Sequence, residues 1–117
     1  MKLKIAVASE GLAGLEDTVS KVFGRSPTFT IIDIEDGEIK GVKVKRNPSA
    51  NAPHGAGPLT CARLSRLGVN SVIASTFGPT TSDMLKELKI EKYTIHAGMK
   101  VKDAVQRYLK SRRNVYS

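Results

Sequence analysis

The chain has 117 residues, 40% of them hydrophobic and 26% charged, which suits one globular domain over residues 1–117 and excludes a disordered or fibrous design. Its formal net charge of +8 favours anionic partners. A single cysteine excludes an internal disulfide framework or a self-contained cysteine cluster, and with no bilayer-length apolar run and no secretory leader behind Met1–Lys4, a cytoplasmic protein without membrane contact is expected.

Lys4 to Ala8 is a short apolar run that reads as a strand buried on both faces, at the centre of a sheet. Gly11 to Pro27 has weak periodicity and several breakers, so it reads as a long loop with one helical turn around Asp17 to Val22. Thr28 to Ile34 and Ile39 to Val44 flank Asp36-Gly37, a hairpin signature. In the second arm Val42 and Val44 alternate with Lys43 and Lys45, which fits an edge strand protected by lysines better than a nucleic-acid-binding face.

Asn51 to Pro58 then joins a Pro/Gly-rich turn to a helix over Pro58 to Leu67, with Gly68 as its stop and Leu64 and Leu67 on its buried side. Asn70 to Ser75 carries a second buried strand, and Gly78-Pro79-Thr80-Thr81 opens a helix with Met84, Leu85 and Leu88 on one side. Tyr93 to His96 reads as another short strand. Val101, Ala104, Val105, Tyr108 and Leu109 mark an amphipathic last helix, followed by a basic, fraying tail from Lys110 to Ser117. This order predicts a three-layer α/β sandwich with a mixed sheet of about five strands, the hairpin's second arm antiparallel at one edge. In such sheets ligands sit beyond the carboxyl ends of the parallel strands, where the glycine-rich turns of this chain fall.

Phe23-Gly24-Arg25-Ser26-Pro27 followed by Phe29, then Asn47-Pro48, Gly55-Ala56-Gly57, Gly78-Pro79 and the Val101 to Leu109 helix resemble, in order and over nearly the whole chain, the dinitrogenase iron-molybdenum cofactor biosynthesis family, which includes NifX-like proteins and the C-terminal domain of NifB. The resemblance implies a ribonuclease H-like α/β fold and a role as carrier or small binding module for iron-sulfur or iron-molybdenum cofactor precursors, in company with cofactor-assembly proteins. Many family members have histidine immediately before the Phe-Gly pair, where this chain has Val22. His54, Cys61 and His96 are then the soft or borderline donors that remain.

A precursor of that kind is anionic and rich in sulfur, so its seat needs helix N-termini, a cation and one or two replaceable ligands. Gly55, Ala56, Gly57, Gly78, Thr80 and Thr81 supply backbone and hydroxyl donors to such a seat, Arg25 the cation, and His54, Cys61 and His96 the metal ligands. The plainer readings are turn glycines, helix-capping threonines and a cysteine serving as a small buried hydrophobe. No phosphate loop, Cys-x-x-Cys or His-Glu-x-x-His motif is present, and the first strand lacks the carboxylates of a two-metal nuclease, so a non-enzymatic module is expected. A basic nucleic-acid-binding or scaffold domain using Lys43, Lys45, Arg46 and Arg112-Arg113 is the alternative, disfavoured by few and scattered aromatics.

Overall fold

The computed structural model describes residues 1–116, with side chains through Arg112, and β1 (Lys2–Ser9) is its spine. Side chains alternate across a strand, so Ile5 and Val7 point to one layer and Ala6 and Ala8 to the other. Both faces are covered, which is why this run carries no polar alternation.

β2 (Thr28–Glu35) pairs antiparallel with β1, and β3 (Glu38–Arg46) antiparallel with β2. The turn between them puts Asp36 at φ 52° and Gly37 at φ 82°, the left-handed pair that a tight hairpin requires. β4 (Ser71–Ala74) and β5 (Glu91–Thr94) run parallel to β1 on its other side, giving the order β3-β2-β1-β4-β5. The expected mixed five-stranded sheet, with the hairpin's second arm at an edge, is the one observed.

α3 (Val101–Tyr116) covers one face. Val101, Ala104, Val105, Tyr108 and Leu109 meet Ile5, Val7, Ile32, Ile34 and Ile73 there, each large aliphatic or aromatic side chain contributing about 1.5–3 kcal/mol by burial. On this face the buried Tyr108 hydroxyl bonds the buried Ser71 hydroxyl and receives a bond from Arg112. α1 (Ala56–Arg66) and α2 (Pro79–Glu87) cover the other face, where Leu64 and Leu85 pack with Phe23, Phe29, Ile31 and Val72 over the small Ala6, Ala8 and Ala74.

Several boundaries differ from expectation. The helical turn of the long loop lies at Gly14–Glu16, upstream of Asp17, because Asp17 to Ser20 is drawn into extended pairing instead. α1 starts at Ala56, two residues before Pro58, which still falls in the first turn where no N–H partner is needed. Leu67 lies past the helix end and is 38% exposed. β5 ends at Thr94, leaving His96 beyond the strand. The backbone of α3 stays helical through Tyr116 where fraying was expected; Ser117 and the side chains after Arg112 lie outside the described residues.

Candidate functional site

The strand exits of β1, β4 and β5 are held together by the segment Asp17 to Ser20. Ser20 N–H donates to the Ala8 carbonyl at 2.8 Å and Ser75 N–H to the Ser20 carbonyl at 3.4 Å. Val19 exchanges bonds with the other exit, donating to Met99 O at 2.8 Å and accepting from Gly98 N–H at 3.1 Å. Val101 N–H, opening α3, donates to Asp17 O at 2.8 Å. Backbone polar groups that leave a sheet must find partners; here they find one another across three loops. At the base of this seam the buried Thr28 hydroxyl donates to Gly11 O at 2.6 Å and can accept from the Ser9 hydroxyl at 2.7 Å.

Gly24 is the hinge between this seam and the helices. Phe23 is anchored under it by Phe29 and Phe77, with ring centroids 5.4 and 5.1 Å away. Gly24 itself lies on the first turn of α1, so close that a Cβ would come within 2.8 Å of Gly57 Cα. Gly57 in turn faces the Thr81 hydroxyl in the first turn of α2, which occupies the space a Cβ would need. The Gly24 carbonyl accepts from Asn47 Nδ2 at 3.0 Å and from the Thr60 hydroxyl at 2.9 Å. Asn47 also donates to Ser26 O and accepts from Ser49 N–H, so the Gly24 turn, the segment after β3 and α1 are tied together.

The stack Gly24–Gly57–Thr81 therefore sets the N-termini of α1 and α2 side by side. Gly55, at φ 69°, takes the left-handed cap of α1, and Gly78 caps α2; neither helix has a side-chain capping bond. Thr80 is exposed and Thr81 is turned onto Gly57, so neither caps α2. Two uncapped helix starts facing one edge present N–H groups and partial positive charge, a setting that favours an anion.

The predicted site residues divide. Gly55, Ala56, Gly57, Gly78, Thr80 and Thr81 gather at this edge. Arg25 reaches it differently from expectation, donating to Ala50 O at 3.1 Å and Ala52 O at 2.8 Å and so bracing the loop that carries His54. His54 is exposed, just before Gly55. His96 is also exposed, but it lines a separate hollow with Ser75, Thr94 and Arg107 of α3, in the opposite helical layer from α1.

Cys61 corrects the expectation of a thiolate ligand. It is 0% exposed among Ala6, Phe29, Leu64 and Val72, and burial pushes its thiol up to about 11, against the thiolate that a metal needs. Among the described residues no three His, Cys, Asp or Glu side chains come together to hold a metal ion. The donors present, backbone N–H groups at two helix starts and the exposed His54, suit an anion better than a metal ion that needs a full set of protein ligands. Asn47 and Thr60, which fix the geometry, were not predicted as site residues; a buried threonine on a helix's apolar side was the available signal.

A five-stranded mixed sheet with α3 on one face, α1 and α2 on the other, and glycine turns gathered at the parallel-strand ends defines a small α/β domain of the nitrogenase accessory-factor kind. The chain belongs to the dinitrogenase iron-molybdenum cofactor family, whose model matches residues 1–111. The orange protein of Desulfovibrio gigas, solved in its apo form, superposes with a TM-score of 0.85 at 29% identity, over 93% of this chain and 88% of that one. A Thermotoga protein provisionally assigned as NifB gives a TM-score of 0.76 at 33% identity over 94% and 90% of the two chains. An uncharacterized protein of Methanocaldococcus jannaschii is 33% identical over 91 residues, 78% of this chain and 77% of its own. The two solved structures share the architecture expected from the sequence.

Proposed function

We propose that this iron-molybdenum cofactor biosynthesis-like module is a carrier that holds an anionic iron-sulfur cofactor precursor, or a related small anion, where α1 and α2 begin. What carries the reading is the contact of Gly24, Gly57 and Thr81, which leaves two uncapped helix starts adjacent. Each helix end favours an anion by about 1 kcal/mol, and two together give roughly 30-fold in affinity. His54 adds an imidazole that a metal can gain or lose without disturbing the fold, a property suited to a module that receives cargo and passes it on. The role is binding without catalysis, in the cytoplasm, with cofactor-assembly proteins as donors and acceptors. No helix among the described residues is long and apolar enough to cross a membrane.

Anaerobic reconstitution with ferrous iron and sulfide tests this reading. A protein-bound brown chromophore is expected, weakened by His54→Ala and unaffected by Cys61→Ala. A colourless protein after gel filtration would remove the metal-sulfur version.

A further inference from the structure

The cations of this chain are unevenly compensated. On the α3 side Lys100 and Lys102 bind Glu16 at 2.9 and 3.0 Å, and Arg112 binds Glu91 at 3.3 Å. On the α1 side, a groove of about 310 Å³ between α1 and β3 is lined by Lys45 and Arg46 from the strand and Arg63 and Arg66 from the helix, with no Asp or Glu in its lining. Among the described residues none of these four side chains has an ion pair or hydrogen bond.

Each cation alone has an ordinary explanation. Arg63 and Arg66 suit the carbonyl end of a helix, and Lys45 suits an edge strand. Their meeting across one groove does not follow from either. Pairing of Phe29 with Lys45 turns the lysine toward the layer of α1, while Arg46, the next residue and paired with Thr28, borders the groove at the end of β3. The result is Lys45, Arg63 and Arg66 around a shared apolar floor, with Arg46 at its border; of that floor Phe29 and Leu64 are buried and Leu67 is open to solvent. β3 is also the sheet's outer strand, so among the described residues one side of its backbone has no strand partner.

We propose that this groove is a docking surface for an acidic segment of a partner protein, lying between α1 and β3 with an aliphatic side chain on Leu67. Opposite charge is supplied by the cations, and an extended segment can add backbone bonds along β3. Nucleic acid fits less well, because the one aromatic ring in the floor, Phe29, is 3% exposed and offers no face on which a base can stack. The charged part of the surface lies toward the carbonyl end of α1, whereas the strand-end seat is at its N-terminus, so it can hold a partner while cargo moves.

The test uses the full chain, isotope-labelled for NMR, and a synthetic peptide alternating glutamate with leucine. A lysine-leucine peptide and a short single-stranded DNA serve as comparisons. The glutamate peptide is expected to bind and to shift the amide signals of Lys45 to Arg46 and Thr60 to Leu67. Arg63→Glu with Arg66→Glu should weaken it by about tenfold or more, while Lys2→Glu with Lys110→Glu, which changes net charge equally, should alter it less than about twofold. Leu67→Ser, which removes no charge, should also weaken it. Equal loss in the two charge-reversed proteins, shifts centred elsewhere, or tighter binding of DNA at the same residues would each overturn the proposal. Iron-sulfide reconstitution of the same variants separates failure here from failure at the strand-end seat.

Discussion

Gly24 and Gly57 meet backbone to backbone, and beyond them Gly57 meets the Thr81 side chain, so the two obstacles differ in kind. Backbone cannot rotate away, whereas a hydroxyl can. Gly24→Ala is therefore expected to destabilise the fold by about 1–3 kcal/mol, an overpacking cost. Gly57→Ala should cost less in the native background. Combined with Thr81→Ala it should become neutral or stabilising, since alanine is favoured over glycine in a helix by about 1 kcal/mol. Denaturant unfolding of the single and double variants measures the coupling, and additive effects would mean that the Thr81 hydroxyl is not the obstacle.

Asn47 holds Gly24, Ser26, Ser49 and Thr60 with one amide, so its loss falls on both the turn before β2 and α1. Asn47→Ala should cost about 1–3 kcal/mol, because it leaves buried groups such as the Ser26 carbonyl without their donor. Asn51→Ala, on the exposed surface of the same loop, should stay within about 0.5 kcal/mol. The urea midpoints of the two variants check this contrast.

Cys61 gives the fold a pH dependence with a defined sign. Its thiol ionises near its ordinary value of 9.0 once unfolded but at about 11 when folded, so the unfolded chain loses its proton first. The folded state keeps its full advantage below pH 9 and loses it progressively between pH 9 and 11. Wild type should lose about 2 kcal/mol more stability than Cys61→Ala across that window. The difference between the two proteins isolates the thiol from tyrosines and lysines that titrate nearby. At pH 8 the same thiol should react with a disulfide reagent only as fast as the chain opens.

Val22 is 43% exposed beside the Phe23-Gly24 turn, so an imidazole can be placed there without burying it. Val22→His should leave the melting temperature within about 2 °C and increase retention of the iron-sulfide chromophore. Unchanged retention would indicate that this position does not reach the cargo.

Features with local causes were legible in the sequence. Asp36-Gly37 demands a tight turn wherever it stands, and the spacing of Val101, Val105 and Tyr108 fixes one helical face without help from the fold. The glycine-bearing strand ends were likewise placed correctly on one edge. Long-range geometry was not legible. For Cys61 the sequence left a metal ligand and a small buried hydrophobe both open, and the fold takes the second: Thr60 turns inward to bond Gly24 and the cysteine beside it lies in the core. The bonds of Arg25 to two backbone carbonyls were not legible because such acceptors have no signature in side-chain types. Leu67 looked buried because helical spacing was continued one residue past the helix end.

Both helices on the α1 side begin on glycine where serine or aspartate would have closed the first turn with its own oxygen. At Gly78 the backbone, φ −70° and ψ 160°, already has the conformation such a residue prefers. An internal cap and an incoming guest would compete for the same amides. Gly78→Asp should thus make the empty protein firmer and a poorer host, while in the native chain thermal resistance should climb as the seat fills.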